Sequence, residues 1–123
     1  MWDGFNKRKF PRINVRCEIR IQPEVQPPIS AETENLGVGG VCVILNVPLE
    51  RFSRCHIRLE LDEKSSPIQC DGKVSWIVPT RSAKDKKKKC FDTGIEFEGL
   101  DPDDLEIIKD FLEVHAKKNP LKA

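Results

Sequence analysis

Arg8 and Arg12 bracket the run Arg8-Lys9-Phe10-Pro11-Arg12, and two arginines at that spacing can grip an anion. A guanidinium presents five donors in a planar fork that suits phosphate oxygens and guanine O6/N7. Pro11 removes a backbone donor and biases the residue before it toward an extended shape, so the stretch reads as an arm and not a helix. Lys7 and Lys9 add charge around the pair. A second stretch, Asn35-Leu36-Gly37-Val38-Gly39-Gly40, packs three glycines into four positions. Glycine permits positive φ and close approach of a ligand to the backbone. Successive N–H groups in such a turn can form a cup for an anion. Asn35 stands at its entrance with one acceptor and two donors. Taken singly, the arm is a solvated basic tail and the turn a tight loop with a local Asn cap.

Strands must position these residues. Val15, Cys17, Ile19 and Ile21 alternate with Asn14, Arg16, Glu18 and Arg20, the pattern of a half-buried strand with a basic outer face. Ile29 to Glu34 reads as a weaker strand running into the glycine turn. Val41 to Leu45 is apolar on both faces, which predicts a central strand. Cys55, Ile57, Leu59 and Leu61 share one face of another. Ile68, Cys70, Gly72, Val74, Trp76 and Val78 share one face of a long strand, with a bulge expected at Gly72, Trp76 in the core or else near the mouth to pack on a base, and Pro79 as the stop. Phe91, Thr93, Ile95 and Phe97 make the last strand. Asp101 and Pro102 then suit the cap and first position of a helix whose apolar face holds Leu105, Ile108 and Leu112. Six strands and a helix predict a mainly β fold, a small antiparallel barrel with a C-terminal α-helix.

The totals narrow the function. The chain has 123 residues, enough for one domain, with 21 basic against 20 acidic residues and net charge +1. Basic residues crowd the N-terminus and the run from Arg81 to Lys89, while Glu98 to Glu113 is mostly acidic. A local site for a small anion fits this better than a nucleic-acid track, and the absence of Tyr leaves few aromatic faces on which single-strand bases could stack. Five Cys, at 17, 42, 55, 70 and 90, form no C-x-x-C pair, so free thiols in a reducing cytoplasm are expected, with no metal. Alternation places Cys17, Cys55 and Cys70 inward and leaves Cys42 and Cys90 undecided. No apolar h-region follows Met1, and Val41 to Leu45 is too short to span a bilayer, so no direct membrane insertion is expected. No catalytic triad, paired carboxylates, Walker loop or cofactor fingerprint appears, which argues against an enzyme.

Arg8-x-x-x-Arg12 followed by Asn35-x-Gly37-x-x-Gly40 resembles the bipartite signature of PilZ domains, R-x-x-x-R and then D/N-x-S-x-x-G. Gly72-Lys73-Val74-Ser75-Trp76 is similar to the family's G-x-V-x-W strand, and Gly94-Ile95-Glu96-Phe97 to its G-I-x-F strand. The resemblance implies a six-stranded barrel with a C-terminal helix that binds cyclic di-GMP. It implies that Arg8 and Arg12 grip phosphates and the Hoogsteen edge of guanine, that Asn35 contacts a guanine base, and that Gly40 holds the turn. Gly37 stands where the family usually has Ser, and Lys7 is a minor candidate for a phosphate. The expected organisation is a flexible basic arm over 1–12, a PilZ-like barrel with helix over 13–118 and a tail over 119–123. The expected role is a bacterial cytoplasmic sensor of cyclic di-GMP, without an output domain, that signals through an unidentified protein partner and binds neither DNA nor RNA. The alternative is a degenerate barrel that has lost the ligand and serves as an interaction adaptor.

Overall fold

A computed structural model describes residues 12–81 and 87–118. Lys7 and Arg8, the arm before Arg12, residues 82–86 of the lysine-rich loop and the tail 119–123 lie outside the described residues. The elements, in chain order, are β1 (Ile13–Asn14), β2 (Glu18–Pro23), β3 (Ile29–Leu36), β4 (Gly40–Leu45), β5 (Arg54–Glu60), β6 (Ile68–Arg81), β7 (Lys89–Glu98) and α1 (Pro102–Lys118). Every strand pairing is antiparallel. The ladder runs β3–β2–β5–β6–β7–β4, and β4 pairs back onto β3, so six strands close a barrel as the residue pattern predicts. The two-residue β1 adds to the rim by pairing Ile13 with Leu36 and Asn14 with Asn35.

Alternation builds the interior. β2 and β5 bury every second residue, and Ile21, Ile57, Leu59, Val74, Leu36, Val43 and Ile95 are fully or almost fully buried. Burying one such side chain is worth about 1.5–3 kcal/mol. Ile108 and Leu112 of α1 belong to the same apolar cluster, with Phe111, Leu100 and Ile13 packed at its margin. Asp101 caps the helix: its carboxylate accepts the Asp103 N–H at 2.9 Å, and Pro102 occupies the first turn, where no donor is required.

Three local expectations are corrected. The strand expected from Val15 begins at Glu18, as β2, because residues 15–17 leave the ladder around Thr33. The buried Thr33 hydroxyl donates to the Val15 carbonyl at 2.7 Å and accepts the Cys17 N–H at 2.9 Å, which satisfies backbone groups that leave the ladder. The irregularity in β6 falls at Ser75, between Val74 and Trp76, and not at Gly72. Gly72 is instead a packing requirement, since a Cβ there would lie 2.5 Å from Ile57 Cδ1 and 2.8 Å from Ile95 Cγ2. Finally, β6 runs through Pro79 to Arg81. Its β5 ladder ends at Lys73, so beyond that point only the β7 side of the strand carries a ladder among the described residues. Proline is tolerated where one side of a strand is unpaired.

Candidate functional site

The extra residue at Ser75 decides which way Trp76 points. In a regular strand Trp76 would follow Val74 inward. With Ser75 inserted, Trp76 pairs with Gly94 and faces out, 38% exposed, while Val74 stays buried. Ser75 Oγ donates to the Gly94 carbonyl at 3.1 Å and holds the bulge. The indole lies so close over Gly94 that a Cβ there would overlap Nε1 and Cε2. The expectation that Trp76 is a core residue is therefore corrected, and the cause is one inserted residue.

The glycine turn joins β3 to β4. Its Gly37 N–H is spent on the Gly40 carbonyl at 2.9 Å, and the Gly39 carbonyl accepts the Phe97 N–H at 2.9 Å. Among the described residues positive φ occurs at Gly99 and Phe52, so none of Gly37, Gly39 and Gly40 uses it. The turn needs glycine for a different reason. At Gly40 a Cβ would overlap the Ile95 carbonyl oxygen of β7, so β4 and β7 could not approach as they do. The turn thus brings the start of β4 against β7.

Arg12 Nε donates to Asn35 Oδ1 at 2.9 Å, bridging the two sequence stretches. The Arg12 side chain runs over Gly37, with its Cγ 2.9 Å from where a Cβ would stand. Arg12, Asn35, Gly39, Gly40, Cys42, Trp76, Gly94 and Glu96 line one cleft of about 530 Å³ on the outer face of β3, β4, β7 and β6. Arg12, Asn35 and Gly40 therefore come together, and Gly37 lies beneath Arg12. A larger depression of about 700 Å³ lies between the turn after β5 and α1, lined by Leu61, Ile107, Phe111 and Val114. It lacks the fork of donors that the Arg12 cleft offers.

Pattern reading misses Cys42, Gly94 and Glu96 as cleft residues, although the G-I-x-F segment carries two of them, and Trp76 takes the outward of its two expected places. Cys42 faces outward yet is 5% exposed, its thiol donating to Asp92 Oδ1 at 2.9 Å. Burial, that hydrogen bond and the nearby charges of Asp92 and Glu34 push the thiol up to about 12, against a weaker opposing pull from Arg12. Glu34, Cys42 and Asp92 bring one ligand-type atom each within 4.8 Å of the others, but the thiol is held protonated and engaged. Burial also raises Cys17, Cys55 and Cys70 to about 11. All five thiols are free.

The fold is a closed antiparallel barrel with a terminal helix, and it carries the Arg–Asn cleft on its outer wall. The family model "PilZ domain" matches residues 6–114, and the chain belongs to that family. The inhibitor of motility MotI/DgrA of Bacillus subtilis superposes with a TM-score of 0.76 at 17% identity, over 93% of this chain and 53% of that one. The PilZ domain of YcgR from Escherichia coli, solved with c-di-GMP, superposes with a TM-score of 0.70 at 16% identity, over 95% of this chain and 99% of that one. PlzA of Borreliella burgdorferi, in complex with c-di-GMP, gives 0.60 at 14% identity, over 96% of this chain and 56% of that one. This chain thus spans about half the length of the Bacillus and Borreliella proteins. At these identities the likeness is one of fold. No curated protein sequence matches the chain. Among the described residues no helix is long and apolar enough to cross a membrane.

Proposed function

We propose that the barrel binds cyclic di-GMP in the Arg12–Asn35 cleft and conveys its presence to a protein partner in the cytoplasm, without catalysing a reaction. The observation that carries this reading is the 2.9 Å hydrogen bond between Arg12 and Asn35, which joins the two halves of the bipartite motif at one cleft. Family membership supports the ligand class, as do the c-di-GMP complexes named for YcgR and PlzA. In this reading the Arg12 fork meets a phosphate or guanine O6/N7, and the Asn35 amide, oriented by Arg12, addresses a base. Arg8 supplies the second fork from the arm over 1–12, and Lys7 lies close enough in sequence to meet a phosphate. Trp76, close against Gly94 and partly exposed, offers a stacking face. A dianion bound between arm and barrel orders the arm and changes the surface shown to the partner. Titrating Arg8→Ala and Arg12→Ala with cyclic di-GMP tests this. Both variants should lose binding and keep the wild-type melting curve, and unchanged affinity in both would refute it.

A second reading, the adaptor without ligand, has one observation in its favour. Gly37 lacks the hydroxyl usual in the family motif, and its position lies beneath Arg12.

A further inference from the structure

The loop between β4 and β5 holds Phe52 in a left-handed backbone conformation, φ 69°, with the side chain 59% exposed. Such a φ is rare for a bulky residue and costs energy, and residues held this way cluster at ligand sites. The loop is sewn to β6 beside the bulge that turns Trp76 outward. Phe52 N–H donates to the Val74 carbonyl at 2.7 Å, and Val74 N–H donates to the Ser53 carbonyl at 2.9 Å. Arg51 Nε donates to the carbonyl of Ser75, the inserted residue, at 3.3 Å. Two cations then gather on the exposed ring: the Arg51 guanidinium carbon lies 4.6 Å from its centroid and Lys73 Nζ 5.7 Å. Lys73 faces Glu96 across the β6–β7 ladder, and both Ser75 and Glu96 line the cleft. The cluster therefore adjoins the cleft wall on the side away from Arg12.

We propose that Arg51, Phe52 and Lys73 form a second half of the ligand site, which takes the phosphate and base at the far end of a dinucleotide whose near end lies at Arg12 and Asn35. The inference rests on the cyclic di-GMP reading above. The chemistry is complementary. The two cations answer a phosphate, and a guanidinium or phenyl face stacks on a base. Glu96 stands between the halves as an acceptor for the N1–H and N2–H donors of guanine, its charge offset by Lys73 across the ladder. The strained loop presents these groups on a fixed backbone, which spares part of the ordering cost of binding.

The test compares cyclic di-GMP with GMP, whose single base and phosphate can occupy the Arg12 half but cannot reach both halves at once. In Arg51→Gln/Lys73→Gln, cyclic di-GMP should bind about three- to tenfold more weakly at low salt, with a flatter dependence of Kd on salt. GMP binding and the melting temperature should be unchanged. Arg12→Ala should weaken both ligands. Lys73→Gln alone leaves the Arg51–Ser75 bond in place and carries the test if the double variant melts early. Arg51→Lys keeps the charge and should recover most of the affinity. Wild-type affinity and salt dependence in the double variant, with the wild type binding, would overturn the second half-site alone. A wild type that binds no cyclic di-GMP would overturn the functional reading beneath it as well.

Discussion

Gly37→Ser restores the hydroxyl that the family motif usually carries, and the local geometry sets what it should do. A Cβ at Gly37 would stand 2.9 Å from Arg12 Cγ and 3.5 Å from Arg12 Nη1. The neighbour is an exposed side chain and not backbone, so a shift of a few tenths of an ångström relieves the contact. Gly37 does not use positive φ, so Ser meets no left-handed strain there. The added hydroxyl can donate to a phosphate oxygen or accept from a base. One neutral hydrogen bond is worth about 0.5–1.5 kcal/mol net. That converts to roughly a two- to thirteenfold tighter dissociation constant for cyclic di-GMP. The melting temperature without ligand should move by no more than about 4 °C, because Gly37 is buried only beneath an exposed Arg12 side chain that can shift aside. Calorimetric titration and thermal melting of wild type and variant measure both. An unchanged melting point with no gain in affinity would refute the claim that this hydroxyl is the missing contact. A weaker variant with an unchanged melting point would show that Arg12 cannot yield without leaving Asn35.

Asn35→Ala removes the acceptor that orients Arg12; hydrogen bonds to charged groups are worth about 1.5–3 kcal/mol, so ligand affinity should fall by roughly tenfold or more, read by titration, with the fold intact. Gly40→Ala drives a methyl into the Ile95 carbonyl and should destabilise the fold by about 1–3 kcal/mol in urea unfolding, because backbone cannot step aside as a side chain can. Cys17, Cys42, Cys55 and Cys70 are raised to about 11 or 12 from 9.0, so the folded state favours the protonated thiols. Their contribution is complete below pH 9 and is lost as pH climbs through 11 to 12, so the melting temperature should fall above pH 9, and Cys42→Ala should flatten part of that fall.

The barrel is legible because β2, β5 and the first half of β6 keep strict alternation, and each apolar residue at an even step meets the interior. Closure is legible only in outline, since β3–β4 pairing follows from the tight turn, where Gly40 admits the β7 backbone. What escapes the pattern has a single physical character: it depends on one residue more or less. The bulge at Ser75 reverses Trp76, and a period of two cannot see an insertion. Thr33 looks like any strand residue, yet its hydroxyl stitches Val15 and Cys17 where the strand is interrupted. Cys42 makes β4 look buried on both faces, whereas its outward side is covered by Asp92 and Glu34, polar groups that alternation assigns to solvent. The Arg12–Asn35 contact spans 23 positions, and the motif spacing points to it where local pattern is silent.

The central claim is that this barrel takes up cyclic di-GMP at the Arg12–Asn35 cleft, and isothermal titration of the wild-type protein with that nucleotide tests it most directly. The account predicts a saturable heat of binding, with weaker or no heat from GTP and from a single-stranded oligonucleotide. Absence of heat with cyclic di-GMP, or tighter binding of the oligonucleotide, would contradict it.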